Sequence, residues 1–578
     1  MKKIIILLSA FVLSFGLVSC DILNGDPYTS FTKSNYFTSE TNVELYANYF
    51  YSEWSGYGNS GGYGSFYFPT LNDNQTPTGY TEWSYTSVSA TNSTWNACYT
   101  EIRRANILIE ALPGIESMND ASKANWEGIA RLYRAWQHYC LVRAFGDCYW
   151  VDHTLDVTDE NILFGPRQDR DQVMDKVLED LNYAVANITA NASSRTLYNA
   201  AVAQAIKSEI CLYEGTFSKY RSAADGQKAA DESRATRYLN ECKTASLALI
   251  NDANYELSPD YRAVYNSFDL ANSVATKEMI LYKKYVYGIL AHSTIDYTCG
   301  STQTNGMTKD AFDSYLFRDG ECLANTTLDK NDHGKVVELS DNPYADDRSW
   351  NIDISEVLAV RDPRLGEQID AVLFYPGVGY RRYGLGAEAT SSTGYGVMKF
   401  DTPLFTNPTL RNSISGAETD APIFWLGNVV LNYAEACAET GEDAAAVNAV
   451  NMLRDRVGMP HLTASPAADP ANNMGVSNLI WEVRRERRVE LMFDNNDRYW
   501  SMIRWHQLDK LDQTKYADQC RGAWVGGFKH DGVDVDSEGY IVTLNGRSGR
   551  VYDKKHYLNP IPSGQIDLNP EIGQNPGW

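Results

Sequence analysis

Residues 58–62 read Gly58-Asn59-Ser60-Gly61-Gly62, a match to the G-x-S-x-G pattern that presents a nucleophilic serine on a sharp turn. That device needs a strand leading into the turn and a helix leaving it. Here the flanks are EWSGY and YGSFYF, with no apolar strand leading in, and none of the eight histidines sits where it would mark a base for Ser60. A hydrolase using Ser60 is therefore the minor alternative. GVGYRRYGLG at 377–386 is not a phosphate loop, because no Lys-Ser/Thr follows and no helical pattern begins. With 74 acidic residues in the chain, paired carboxylates discriminate nothing. No CxxC offers a zinc site. The Asp- and Asn-rich loops leave room for a structural calcium, although no EF-hand pattern occurs.

The stretch that does suggest a chemistry is 49–99, where 14 aromatic residues are interspersed with Gly, Asn, Thr and Asp. Sugar rings present flat C–H faces edged by hydroxyls, so a surface site for them wants aromatic platforms beside Asp, Asn and Arg. The whole chain shares this bias, with 38 Tyr against 19 Phe and 13 Trp, although most of these rings are expected to fill the core. Binding is the reading these residues favour over catalysis.

The elements that must position such a surface are mostly helices. Residues 40–53 predict a short helix, and the Gly-rich region after it predicts ordered loops. Ile102, Ala105, Ile109 and Leu112 recur at helical spacing until Pro113-Gly114. In the same way 122–145, 171–188, 198–217 and 234–250 read as amphipathic helices. Trp95, at the start of the first of these long helices, is expected to pack. Helical pairs joined by short breaks suggest stacked hairpins of the tetratricopeptide kind. Residues 255–420 are irregular, a length of loop that carries function or small elements of its own. Helices resume at 422–439. Gly441 is a stop and Asp443 an N-cap for the next helix, which runs to Gly458. In the last one, 476–494, the mixed charges of WEVRRERRVELMF predict a solvated face laced with ion pairs.

A net charge of -23 over 578 residues argues against nucleic acid or anionic lipid as an electrostatic partner. Ten cysteines at irregular spacing are not a disulfide framework. Cys140, Cys211, Cys242 and Cys437 fall in helical patterns and read as small core residues, while a pairing of Cys140 with Cys148 stays open. At the N-terminus, Lys2 and Lys3 precede a 15-residue apolar run, Ile4 to Val18, shorter than the roughly 20 residues of a spanning helix. This describes a secretory signal peptide. Its end, Leu17-Val18-Ser19-Cys20, resembles the lipobox of bacterial lipoproteins. That resemblance implies removal of residues 1–19 and lipidation of Cys20, with residues 20–39 as a mobile tether. More than one acyl chain would then hold the chain to a membrane without spanning it.

LNYAEACAETGE (431–442), NAVNMLRDRVGMP (448–460) and RRERRVELMFDNNDRYWSMIRW (484–505) resemble successive signatures of the SusD/RagB family. So do WNACYTEIRRAN (95–106), RDPRL (361–365) and YLNPIPSGQIDLNPEIGQNPGW (557–578), so that the resemblance spans nearly the whole mature chain. It departs at Asp494-Asn495-Asn496, where the family usually has Glu-Gly, and at Ser501, where it commonly has Asp. The resemblance implies a mainly α fold, a tetratricopeptide-like α/α superhelix carrying a loop-rich ligand face. An N-terminal region, 40–265, and a C-terminal region, 266–578, would form one globular unit. It implies a non-enzymatic lipoprotein, facing outward from the outer membrane of Bacteroidetes and needing no organic cofactor. Such a protein captures an oligosaccharide, or sometimes a peptide, and passes it to a TonB-dependent transporter of the SusC type. By region rather than by strict motif, the family's ligand contacts fall on Asp73, Asn74, Tyr80 and Trp83, with Tyr297 and, behind it, Trp350 from the irregular middle.

Overall fold

The computed structural model describes residues 36–79, 81–299, 305–338, 350–375, 381–527, 533–543 and 549–578. Helix α1 is Glu40–Ala47, followed by a 3-10 turn over Asn48–Glu53. The long helices are α2 (Ser93–Ala111), α3 (Asp120–Phe145), α4 (Arg170–Asn187), α5 (Ala200–Tyr220) and α6 (Glu232–Ile250). Each begins where the sequence supplies a side-chain acceptor for the orphan N–H groups of its first turn. Asn92, Asn119, Asp169, Asn199 and Asp231 all cap in this way. Neighbours in sequence pack as neighbours in space from α2 through α6. Helix α6 then packs on α10 (Leu426–Glu439), and α10 on α11 (Asp443–Val457). The seams are apolar stripes at helical spacing, such as Val202, Ile206 and Ile210 of α5, each fully buried. At about 1.5–3 kcal/mol per large aliphatic side chain, these seams rather than intrinsic propensity hold the array. This is the tetratricopeptide-like superhelix that the hairpin pattern predicts.

The irregular middle resolves into short helices and two-stranded antiparallel sheets. Strand β1 (Gln75–Pro77) pairs with β3 (Asn305–Met307), tying the N-terminal aromatic region to the middle of the chain. Strand β2 (Met279–Lys283) pairs with β6 (Ala421–Trp425), β4 (Lys335–Glu338) with β5 (Trp350–Asp353), and β7 (Arg521–Trp524) with β8 (Tyr540–Val542). Helices α7 (Thr294–Cys299), α8 (Lys309–Asp313) and α9 (Pro363–Gln368) lie between them. After α11 come α12 (Asn478–Glu490) and α13 (Asp497–Arg504).

Three local expectations are corrected, and the open question of a Cys140–Cys148 pairing is answered. Residues 421–425 form a strand rather than the start of a helix; all five are buried, and a short run apolar on every face carries no period. Glu442, not Asp443, occupies the N-cap of α11, and it makes no side-chain cap bond. The charges of α12 are not a solvated face: Glu482, Arg484, Arg485, Glu486, Arg487 and Glu490 are all buried. Cys140 and Cys148 are both free, as are the other six described cysteines, all of them buried. Among the described residues no helix is long and apolar enough to cross a membrane. Nor does any group of three or more His, Cys, Asp or Glu side chains there form a metal site.

Candidate functional site

The loop from Trp54 to Phe68 is folded tightly on itself. A Cβ on Gly58, whose φ is +98°, would lie 2.2 Å from the Gly62 carbonyl oxygen, and one on Gly64 would lie 2.2 Å from that of Gly56. Only glycine permits that approach. Buried aromatics anchor the stem. The Tyr57 hydroxyl donates to the Tyr265 carbonyl at 2.5 Å, and the Tyr285 hydroxyl donates to the Gly58 carbonyl at 2.7 Å. The tip is fixed by Ser60 N–H donating to the Ala291 carbonyl at 2.9 Å. What emerges at the tip is Tyr63, 64% exposed.

Tyr63 stacks on Phe68 at 4.6 Å and meets Tyr297 of α7 edge-on at 5.6 Å, while Phe68 meets Tyr297 at 5.2 Å. The two tyrosine hydroxyls lie 3.5 Å apart. Helix α7 is held against the loop by the Thr294 hydroxyl donating to the Tyr57 carbonyl at 3.2 Å. Three rings from two distant segments thus form one partly exposed aromatic cluster, with the exposed side chains of Asn59 and Ser60 in the same loop. Of the residues expected from sequence, the structure brings Tyr297 to this cluster. Tyr63 and Phe68 are the members that sequence reasoning did not single out. The signal was present: an aromatic residue in Gly61-Gly62-Tyr63-Gly64 has no apolar period to place it in a core.

The other expected residues stand elsewhere. Asp73 is buried, accepting from Nε and Nη2 of Arg498 at 2.7 Å each. Burial alone would raise its carboxyl, but Arg488 and Arg498 outweigh it and hold the group well below the ordinary carboxylate range. Asn74 is buried too, its Oδ1 accepting from Arg488 Nε at 2.8 Å. Trp83 stacks on His556 at 4.2 Å and donates from Nε1 to the Val551 carbonyl at 2.6 Å, so it clasps the C-terminal segment. Burial lowers His556 to about 4, and the neutral ring accepts the Asp553 N–H at 3.0 Å. Trp83→Ala is accordingly expected to cost about 1–3 kcal/mol in stability, read as a lower calorimetric midpoint. An unchanged midpoint would show the clasp to be idle. Cys20 and Tyr80 lie outside the described residues, as does the side chain of Trp350.

Ser60 has none of the surroundings of a nucleophile elbow. It sits in a turn with φ +51°, with neither strand before nor helix after. The histidine nearest in its hydrogen-bonded neighbourhood, His292, is fully buried. Its Nδ1 accepts from Thr294 N–H at 3.2 Å, and its Nε2 lies 3.0 Å from the Thr419 carbonyl. Burial lowers it to about 3, and neither nitrogen is free to take a proton from Ser60.

The sequence signatures meet inside the molecule. Glu435, in the LNYAEA block, accepts from Arg487 Nε at 2.9 Å, from both terminal nitrogens of Arg504, and from Trp505 Nε1 at 2.6 Å. Arg364 of RDPRL pairs with Asp362 at 2.7 Å, Glu486 at 2.6 Å and Glu490 at 3.0 Å. Asn575, in the terminal QNPGW, donates to the carbonyls of Phe145 and Asn559 at 2.9 and 2.7 Å. The departures have physical equivalents. Asp494 pairs with buried Lys399, and Asn495 and Asn496 sit at φ 44° and 56°, a left-handed conformation that asparagine tolerates best after glycine. Ser501 accepts from Arg504 Nη2 at 3.1 Å.

A profile described as the SusD family matches residues 300–578, and one described as "Starch-binding associating with outer membrane" matches residues 37–212. The chain belongs to the SusD/RagB family. Two SusD-like proteins of Formosa agariphila are 21% and 24% identical to it, over 80% and 72% of this chain and 80% and 71% of theirs. Among solved structures, a SusD-like carbohydrate binding protein of Bacteroides fragilis superposes with a TM-score of 0.66 at 19% identity, covering 93% of this chain and 100% of that one. A second SusD-like protein of that organism gives 0.63 at 21% identity, covering 96% and 100%. The helical superhelix with its irregular middle is thus the SusD fold, and the signatures of this SusD/RagB chain are its buried ion network rather than its exposed surface.

Proposed function

We propose that the protein captures carbohydrate at the outer-membrane surface and passes it to a TonB-dependent transporter of the SusC type. In this reading it is held to the membrane by a lipid on Cys20. Family membership and the starch-binding description of the matched profile support capture. The observation that carries it is the cluster of Tyr63, Phe68 and Tyr297, flat apolar faces with phenol hydroxyls at one exposed edge, the chemistry a sugar ring matches.

The test is calorimetric titration of residues 21–578 against a panel of neutral oligosaccharides and polysaccharides. Binding of one class is expected, weakened about tenfold or more in Tyr63→Ala and in Tyr297→Ala, near 1.4 kcal/mol each, with melting nearly unchanged. Full affinity in both variants would remove the cluster from the site. Silence across the panel would overturn carbohydrate as the cargo. Co-purification of the full lipoprotein with a large outer-membrane barrel tests the transporter separately.

A further inference from the structure

A cavity of about 600 Å³ lies between the first half of α2, the 149–164 loop and the C-terminal segment 565–572. It shares no lining residue with the Tyr63–Phe68–Tyr297 cluster. Its volume falls within the range of about 300–1,000 Å³ that holds small molecules. Val151, Leu155, Ile162 and Ile572 make the wall apolar. Three further apolar side chains that line it stay open to solvent: Leu163 is 36% exposed, Phe164 59% and Leu568 74%. Large apolar side chains left exposed around one concave site mark a place where something binds.

The polar groups of the wall are already matched within the protein. The Tyr149 hydroxyl donates to the Gly165 carbonyl at 2.7 Å and accepts from Asn569 Nδ2 at 3.1 Å. The Tyr99 hydroxyl accepts the Tyr149 N–H at 2.9 Å, and His153 sits 3.0 Å from Asp152 and 3.2 Å from Asp159. What these residues have left to offer is mainly carbon surface. No Asp or Glu lines the cavity. A sugar would set a ring of hydroxyls against those faces with no carboxylate to accept from them. A second copy of the chain fits no better. Leu163, Phe164 and Leu568 cannot supply the roughly 800 Å² per partner of a stable dimer, and both copies would carry a net charge of -23. Trp95 and Tyr99 already meet edge-on at 5.1 Å, but Tyr149 and Phe164 have no aromatic partner among the described residues. Such rings are matched best by another ring, offset or edge-on. The side chains of Asn96, Arg103 and Gln565 also line the cavity and make no hydrogen bond among the described residues, which leaves partners for one polar substituent. We propose that this cavity binds a small planar aromatic molecule with one polar oxygen substituent, as a ligand site independent of carbohydrate capture.

The experiment titrates residues 21–578 with β-naphthol and with decahydro-β-naphthol, which keeps the skeleton and the hydroxyl but lacks aromatic faces. Saturable binding of β-naphthol is expected, with the saturated alcohol roughly tenfold weaker. Phe164→Ala should weaken β-naphthol by a similar factor, and Thr100→Trp should abolish binding by filling the cavity. Both positions are exposed, so both variants should melt as the wild type does. Tyr297→Ala should leave β-naphthol binding unchanged, which separates this site from the surface cluster. Absence of binding to wild type, equal binding of the two alcohols, or binding that survives Phe164→Ala and Thr100→Trp would each overturn the proposal. Loss of binding in Tyr297→Ala would overturn it too, as would displacement by maltose, which would return the cavity to carbohydrate. A dimer of the wild type that Phe164→Ala abolishes would assign the face to a second copy instead.

Discussion

Glu435→Ala is expected to destabilise the protein by about 3–5 kcal/mol, enough that little folded chain would be recovered. The reason is arithmetic of charge inside the core. Glu435 is fully buried and is the common acceptor for Arg487, Arg504 and the Trp505 indole, which come from α12, α13 and the residue after α13. Removing the carboxylate leaves two guanidiniums facing one another in a low-dielectric interior, and neither can lose its proton. Glu435→Gln keeps the shape and the acceptor oxygen but not the charge, so its cost should be smaller and depend on pH. Burial works against the carboxylate, but Arg504 and Arg487 outweigh it and bring Glu435 from an ordinary 4.5 down to about 2. A folded-state value below the unfolded one means stability that is fully present above pH 4.5 and lost as pH falls towards 2. The gap between wild type and Glu435→Gln should therefore be about 3 kcal/mol near neutrality and close as pH drops through that window. Denaturant midpoints at several pH values measure it. A gap that stays constant down to pH 2 would mean that the ionised carboxylate is not its source.

Periodicity made the helical array legible, because α2, α4 and α6 bury one stripe each, and α3 and α5, buried on every side over 132–142 and 210–218, are long enough to show the period outside those turns. It failed where burial is all-round. The run APIFWL is apolar on every side, and only its pairing with β2 decides that residues 421–425 are a strand. It failed again on α12, for a subtler reason. Charges three and four residues apart look alike whether they face water or one another's partners across a core. The α12 charges meet Glu435, Glu439, Arg364, Arg454 and Asp73 from segments that are remote in sequence. Spacing within one helix cannot reveal partners on others. The candidate site divides along the same line. Tyr297 was legible as an aromatic in an irregular segment, and Tyr63 could have been read from its glycine-rich setting, but that they meet each other and Phe68 is decided only by the fold of that loop.

Asp73→Ala is the second change expected to have a large effect, and it separates two readings of an acidic residue in an aromatic-rich region. As a surface ligand contact, Asp73 could be truncated with loss of sugar binding and little change in stability. The structure gives it another occupation. Its carboxylate takes a two-point contact from Arg498 and a further pairing with Arg488, so truncation strands two buried guanidiniums. Breaking such a buried pair from one side costs about 3–5 kcal/mol. The loss should be smaller in Asp73→Asn, which keeps acceptor capacity on Oδ1 and gives up the charge. The same two variants should leave the affinity of the Tyr63–Phe68–Tyr297 cluster for neutral glycan unchanged in whatever fraction remains folded, because among the described residues Asp73 shares no hydrogen bond or ion pair with those three rings. The decisive measurement pairs urea denaturation with titration of the folded fraction. Normal stability with lost affinity would return Asp73 to the ligand face, and lost stability with normal affinity would fix it as the counter-ion that joins the 72–77 segment to α12 and α13.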